Sequence, residues 1–197
     1  MPMNFPLTLN FKKLALAPQI SVTDASGSLL FYVKQKAFKL KEAVTVFADA
    51  EQTQPLYTIN ADRVLDVSAR YHVNEMSGFG LGTVQRQGMR SIWRAHYDIF
   101  RGGGPVMHIR EENPWVKVAD AVFSDLPILG IFSGYVFNPA YNVTRADNGQ
   151  PVMRVKKEPA FLEGRYTITR TGELSENDER LAVLSVLMMT LLERHRG

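Results

Sequence analysis

The chain contains no cysteine among its 197 residues. Disulfides, zinc thiolate sites and thiol nucleophiles are therefore excluded. It also has little excess charge, because 23 Lys and Arg against 20 Asp and Glu give a net charge of +3. Such a balance argues only weakly for an anionic partner. With 45% apolar and 22% charged residues, the composition is that of a globular protein rather than a disordered or collagen-like chain.

Long apolar runs are missing too. The longest stretch without a charged residue, 126–144, is interrupted by prolines and glycines, whereas a membrane-spanning helix needs about 20 mostly apolar residues. The first residues lack a basic region followed by an apolar region, so we expect no secretory leader. These absences predict a cytoplasmic protein, free or peripheral to a membrane, with no transmembrane segment.

Short β-type segments fill most of the chain. β-branched and aromatic residues alternate with polar ones, and turn-forming residues separate the segments. The turns at 102–104 and 147–149 predict two hairpins, and Gln87 and Gly88 predict a third between 80–86 and 91–94. The predicted strands cover residues 29–33, 44–47, 55–59, 80–86, 91–94, 95–100, 105–110, 141–145, 152–155 and 165–170.

A polar loop at 49–54 predicts a further hairpin, between 44–47 and 55–59, and this hairpin shares a pattern with the one at 147–149. In each, a strand is followed by an acidic turn, a proline and a second strand. One has Asp49 and Pro55 at the turn, and the other has Asp147 and Pro151. The repetition predicts two related halves of one sheet system.

The end of the chain predicts a buried helix. Ser175 is a suitable N-cap, and acidic residues fill the first turn. From 181 to 192 the apolar side chains cover every direction around the helix axis, so the helix must be buried on all sides. These residues span about 18 Å, which is too short for the roughly 30 Å hydrocarbon core of a membrane.

A closed sheet is the simplest structure that covers a helix on all sides, and it leaves no exposed edge. We therefore predict a mainly β fold, a closed antiparallel barrel around a C-terminal helix near residues 176–195. One domain spans residues 1–197. A helical and apolar excursion is expected near 113–138, where Asn113 and Pro114 are typical of a helix start.

Several motifs also occur in a specific order along the chain. They are residues 31–41, 44–49, 82–84, 134–141 and 148–152, followed by the apolar helix with residues 191–194. From about residue 28 onward this order resembles the LURP-one-related and phospholipid-scramblase-like group of the tubby C-terminal-like superfamily. The resemblance implies a roughly twelve-stranded barrel around a central C-terminal helix. It also implies no known enzymatic activity and an association with membrane phosphoinositides and lipids.

The chain departs from that group in several respects. It has neither the Pro-rich N-terminal region nor the Cys-rich acylation sites of scramblases. Three of the four residues 176–179 are acidic, but the segment does not form an alternating calcium loop, and we interpret it as a helix N-terminus. The phosphoinositide-binding residues of tubby proteins cannot be matched one by one, so none is carried over.

Four lysines form the one charge cluster, Lys34, Lys36, Lys39 and Lys41. Residues 31–41 contain no acidic residue, and Tyr32 and Phe38 lie among the lysines. Alternation along a strand puts Lys34 and Lys36 on one face. Such a segment could bind anionic phospholipid headgroups. The alternative is a solvated edge strand, which lysines protect against pairing with other sheets.

The excursion near 113–138 carries large apolar residues, among them Trp115, Phe123, Ile128 and Phe132. These side chains could contact a protein partner or a membrane surface. The alternative is that they cover one end of the barrel.

No residue pattern predicts a catalytic site, a metal site or a cofactor. The four histidines lack the spacing of a local metal pair, and His96 with Asp98 is only a weak acid–base candidate. We predict a non-catalytic module that engages anionic lipid headgroups, or alternatively an intracellular protein-interaction or scaffold module without a lipid ligand. Nucleic acid is disfavoured, since the chain lacks a basic–aromatic stacking platform.

Overall fold

The computed structural model describes residues 2–12, 19–34, 44–63, 69–87, 95–112, 139–159 and 163–194. Within these ranges the chain forms twelve strands and one helix. The strands are β1 (Leu7–Lys12), β2 (Gln19–Thr23), β3 (Leu29–Lys34), β4 (Val44–Phe47), β5 (Pro55–Ala61), β6 (Arg70–Glu75), β7 (Gly80–Arg86), β8 (His96–Arg101), β9 (Gly104–Glu111), β10 (Ala140–Arg145), β11 (Pro151–Glu158) and β12 (Glu163–Arg170). The helix α1 covers Glu176–Arg194.

The twelve strands form a closed antiparallel barrel in which each strand pairs with its neighbours in sequence. The sheet closes where β1 lies between β12 and β2, with Leu9 opposite Tyr166 on one side and Val22 on the other. The predicted fold class is confirmed. β3 and β4 have the fewest register pairs of the neighbouring strands, since the described residues show one pair, Tyr32 with Phe47.

The helix α1 is buried around its whole circumference. Every residue from 181 to 191 is buried, and Leu184, Leu187 and Met188 are all 0% exposed. The two polar residues in this stretch, Ser185 and Thr190, donate their hydroxyls to helix carbonyls at 2.7 and 2.9 Å. Their burial therefore leaves no hydroxyl donor unsatisfied.

Polar contacts fix both ends of α1 to the barrel. At its start, the Ser175 hydroxyl accepts a hydrogen bond from the Asp178 backbone N–H at 3.2 Å, which confirms the predicted N-cap. Asp178 pairs with Arg101 at 2.7 Å, and Glu179 pairs with Arg170 at 3.1 Å. At the other end, Glu193 accepts a hydrogen bond from the Tyr97 hydroxyl at 2.5 Å. The charged contacts of the helix therefore lie at its two ends, and the polar residues between them, Ser185 and Thr190, bond within the helix.

The topology gives the barrel two different ends. At the end called here the turn end, short connections join β2 to β3, β4 to β5, β6 to β7, β8 to β9 and β10 to β11, and α1 begins there. At the opposite end, the loop end, the odd-numbered strands from β1 to β11 finish and α1 finishes as well.

Three strands, β1, β2 and β6, fall outside the segments predicted from the sequence. The expected partner of residues 80–86, residues 91–94, lies outside the described residues, and β7 pairs instead with β8. This pairing follows from barrel closure, because β7 must have β6 on one side and β8 on the other.

The two similar hairpins lie six strands apart, as β4–β5 and β10–β11. Both contain an irregularity at the proline. Phe47 is opposite Pro55 after a shift from Val46, and Thr144 is opposite Pro151 after a shift from Val143. A proline cannot donate to the ladder and is tolerated at such irregularities. The shared pattern in the sequence therefore reflects equivalent positions around the barrel.

A charge in the middle of α1 should prevent folding. Leu187→Asp would place an unpaired carboxylate at a fully buried position, whereas Leu187→Ala should cost about 2–5 kcal/mol and still fold. Thermal unfolding followed by circular dichroism measures both effects. Asn177→Asp, an exposed change in the first helical turn, is the control and should leave the melting temperature nearly unchanged. A folded Leu187→Asp protein with the parent melting temperature would contradict the enclosed helix.

A methyl group at Gly82 should also destabilise the fold, because β7 and α1 approach each other closely there. An added Cβ would lie 2.5 Å from the Phe100 carbonyl oxygen and 2.6 Å from a Leu181 methyl carbon. Gly82→Ala should therefore cost about 1–3 kcal/mol in the free energy of unfolding. Gly104→Ala is the matched control, since nothing lies within 4 Å of a Cβ there. Equal stability of the two variants in urea titrations would show that this approach is not close.

Candidate functional site

Lys34 ends β3 on the outer face of the barrel, at the loop end. Its neighbour Val33 is buried, while Lys34 is exposed. Gln19 on β2 is the register partner of both Lys34 and Lys12, so the two lysines lie two strands apart, about 10 Å, on the same face. Lys36, Lys39 and Lys41 lie outside the described residues.

One row further along the same strands, the outer face carries Tyr32, Asn10 and Arg165. Ser21 is the register partner of Tyr32 and of Asn10, and Asn10 is that of Arg165. The Arg165 Nε donates a hydrogen bond to the Asn10 side-chain oxygen at 3.2 Å. We call this set the basic face: Lys12, Lys34 and Arg165, with Tyr32 and Asn10 between them.

Toward β11 and β12 the charge pattern changes. Glu163 is the register partner of Lys12, and Glu158 is that of Arg165. Glu158 also pairs with Lys156 at 3.3 Å. The excess of positive charge on the basic face therefore lies over β1 to β3, the strands next to the predicted lysine segment. Sequence reasoning missed Lys12 because it is more than 20 positions from Lys34 in the chain, and only the register brings the two together.

The apolar candidates Trp115, Phe123, Ile128 and Phe132 lie outside the described residues. The described chain on either side of them is at the loop end, after β9 and before β10. There Glu112 accepts two hydrogen bonds from Arg154, at 2.6 Å from Nε and 3.1 Å from Nη2. These bonds to Glu112 raise the pKa of Arg154. The connections that contain both candidate segments, β3–β4 and β9–β10, thus leave the barrel from the same end.

A polar cluster on the outer face joins β7, β8 and β9 around Asp98. His108 Nδ1 lies 2.7 Å from one Asp98 carboxylate oxygen, and Arg110 donates to the same oxygen at 2.5 Å. The side chain of Gln87 donates to the other oxygen. Burial alone would raise the pKa of Asp98, but the hydrogen bonds from Arg110 and His108 outweigh it and hold the pKa below its ordinary value.

The sequence suggested His96 as the partner of Asp98, because the two share a strand face. The structure instead places His108 directly opposite Asp98. The glycine turn between β8 and β9 could have predicted the pairing of Asp98 with His108, because it fixes which residues lie opposite each other in the hairpin. With its oxygens occupied by Arg110, His108 and Gln87, Asp98 is placed to hold three strands together.

A second polar cluster lies inside the loop end of the barrel. Arg86 approaches Glu193 at 3.4 Å and lies over the ring of Tyr97. Burial, and then the nearby charge of Glu193, raise the pKa of Tyr97. Tyr97 is 0% exposed, so its hydroxyl holds the end of α1 through Glu193 and is not presented to solvent.

The described part of the chain has neither a metal-ligating cluster nor a membrane-spanning helix. In those residues, no three His, Asp or Glu side chains are grouped closely enough to hold a metal ion. The same residues contain no helix with the length and apolar character that crossing a membrane requires.

Comparisons with known proteins agree with this architecture. A family model described as LURP-one-related matches residues 7–114 and 29–186, which confirms the resemblance seen in the sequence. An X-ray structure of a protein from Arabidopsis thaliana is similar, with a TM-score of 0.50 and 16% identity over 98% of this chain and 93% of that chain. At such an identity the likeness shows the fold alone. A search of curated proteins finds no significant match.

Removing the Asp98 charge should weaken the fold in a pH-dependent way. Because the folded pKa is lowered, the carboxylate contributes stability above its unfolded pKa of about 3.9 and loses it as the pH falls through the folded value. Asp98→Asn should therefore cost about 2 kcal/mol at pH 7. The difference from the parent should shrink below about pH 4. Urea unfolding between pH 7 and 3 measures it.

Asp147→Asn is the control for this experiment, because Asp147 is an exposed turn residue. Its unfolding free energy should stay within about 0.5 kcal/mol of the parent value. A constant difference between Asp98→Asn and the parent down to pH 3 would show that the ionised carboxylate is not what stabilises the cluster.

Proposed function

The chain belongs to the LURP-one-related family, and from that premise we propose that it is a non-catalytic module that binds anionic lipid headgroups. The family is generally non-catalytic. In this proposal the protein is cytoplasmic and associates peripherally with a membrane. The loop end of the barrel faces the lipid.

The observation that carries the proposal is the convergence of positive charge at the loop end. Lys34 and Lys12 lie on one outer face there, with Arg165 one row behind. The connection that follows Lys34 adds Lys36, Lys39 and Lys41 in the sequence. It contains one acidic residue, Glu42, which comes after the last of these lysines.

The charge is sufficient for reversible binding. Each Lys near an anionic membrane surface contributes about 1 kcal/mol, so four lysines together approach about 4 kcal/mol, roughly a thousandfold in partitioning. This attraction acts within a Debye length, which shrinks from about 10 Å at 0.1 M salt to about 3 Å at 1 M. Binding by this face should therefore be strong only at low and physiological salt.

The connection between β9 and β10 supports the same orientation. It leaves the barrel at the loop end and contains Trp115, Phe123, Ile128 and Phe132 in its sequence. In the proposal these apolar side chains enter the lipid interface while the lysines bind headgroups. A peripheral protein gains affinity from both kinds of contact.

Replacing Lys34, Lys36, Lys39 and Lys41 by Gln should abolish binding to anionic vesicles. The measurement is flotation with vesicles that contain phosphatidylserine, compared with vesicles of phosphatidylcholine alone, at 0.1 M and 1 M salt. The parent protein should float only with anionic vesicles at low salt. The fourfold variant should not float, and its melting temperature should stay close to the parent value, because exposed charges contribute little to folding.

Replacing the same four lysines by Arg is the matched control, since it keeps the charge and should keep the binding. Lys12→Gln tests the part of the basic face that the register reveals, and should weaken binding about fivefold. If the parent protein does not float, or if salt and the Gln substitutions have no effect, the lipid proposal is wrong. A protein-interaction module without a lipid ligand would then be the better description.

A further inference from the structure

A cavity of about 590 Å³ opens at the turn end of the barrel. It lies between the start of β3, the β4–β5 turn, the β6–β7 turn and the first turns of α1. Its apolar wall includes Met3, Leu30, Phe31, Leu56, Tyr57 and Met76. Cavities of about 300–1,000 Å³ that are mostly apolar, with a few polar groups, are typical of small-molecule sites.

The cavity exists because β4 does not follow β3 to the turn end. After its pair with Tyr32, Phe47 leads into a turn in which the Asp49 carboxylate accepts hydrogen bonds from the Thr53 and Gln54 backbone N–H groups, at 2.8 and 2.7 Å. The chain turns back there. Leu30 and Phe31 therefore face the cavity instead of a neighbouring strand.

Arg180 provides a cation at the wall of this cavity. Its Nη2 donates to Glu176 at 2.8 Å, and this is its one side-chain hydrogen bond to the described part of the chain. The Arg180 side chain is only 19% exposed, whereas that of Glu176 is 65% exposed. A guanidinium has five N–H donors, and an exposed ion pair competes weakly for them. Arg180 can therefore donate to a ligand in the cavity.

Tyr57 provides a second donor. The residue is 8% exposed, and its ring stands edge-on to that of Phe31, with 5.8 Å between the ring centres. Its hydroxyl has no hydrogen bond to any side chain or backbone group in the residues that the structure describes. Burial raises the pKa of Tyr57, and the charge of Arg180 opposes that rise more strongly than Glu75 adds to it.

We propose that this cavity binds a single-chain amphiphile with an anionic head. The head accepts hydrogen bonds from Arg180 and Tyr57, and the hydrocarbon chain packs against Leu30, Leu56 and Met76. Charge-assisted bonds from a guanidinium to an oxyanion are among the strongest in proteins. The flexible thioether of Met76 adapts to chains of different shape. This site is at the opposite end of the barrel from the basic face and does not depend on the lipid-surface proposal.

Glu75 tests where the head binds. It also lines the cavity, and its carboxylate accepts a hydrogen bond from the Ser77 hydroxyl at 3.2 Å. In the described residues it forms no ion pair. An anionic head beside Arg180 is repelled by this carboxylate, so Glu75→Gln should strengthen binding. A cationic ligand would show the opposite response.

Isothermal titration calorimetry with dodecanoate at pH 8 and at monomeric concentrations tests the proposal. Dodecanol and dodecyltrimethylammonium are the neutral and cationic comparisons. Dodecanoate should bind most tightly. Arg180→Gln should weaken its binding about tenfold or more, Tyr57→Phe about threefold to tenfold, and Glu75→Gln should tighten it. Arg63→Gln, an exposed arginine at the loop end, should change nothing.

Three results would overturn the proposal. They are no binding of dodecanoate, binding that ignores both Arg180→Gln and Tyr57→Phe, and tighter binding of the cationic amphiphile that Glu75→Gln removes. Tyr57→Phe keeps the buried ring, so it decides the question even if Arg180→Gln proves unstable. Vesicle flotation of the same variants separates the two proposals, because changes at Arg180 and Tyr57 should leave salt-dependent binding to anionic vesicles intact.

Discussion

The rest of the structure depends on enclosing a helix that is apolar on every side. A helix with its side chains has a radius of about 5–6 Å, and half of the roughly 10 Å spacing between packed sheets adds about 5 Å, so the barrel wall lies about 10–11 Å from the helix axis. A barrel of that radius, with strands about 4.8 Å apart and tilted by about 40°, needs about ten to twelve strands. A barrel of eight strands is filled by its own side chains. The observed twelve strands around α1 are therefore close to what the helix itself requires.

The interior of the barrel is filled by α1, and this limits where ligands can bind. Since α1 and the inward side chains occupy the barrel, contacts with other molecules are confined to its outer face and its two ends. The ends differ in construction. The turn end has short connections and the start of α1. The long connections leave from the loop end, where Tyr97 and Arg86 bind Glu193 at the end of α1. A broad charged surface suits the loop end, and an apolar cavity that opens to solvent suits the turn end.

The sequence predicts local features well and distant pairings poorly. The apolar circumference of residues 181–192 predicts the helix, and closure of the sheet follows from it. The segment 7–12 alternates as clearly as any other strand, but its role in closing the barrel depends on β12, which lies at the far end of the chain. The same limit hides the pairing of Asp98 with His108, the proximity of Lys12 to Lys34 and the cavity. Each is set by register between strands, and a slip of one residue would reverse the faces.

Both proposed sites involve β3, and this follows from its pairing. On one side β3 is paired with β2 along its length, from Gln19 with Lys34 to Thr23 with Leu29. On the other side the described residues show only Tyr32 with Phe47. The pairing with β2 anchors β3 along its length, while in the described residues the ladder with β4 holds the other edge at this one pair. β3 can therefore present Leu30 and Phe31 to a cavity at one end and Lys34 to solvent at the other, without opening the core around α1.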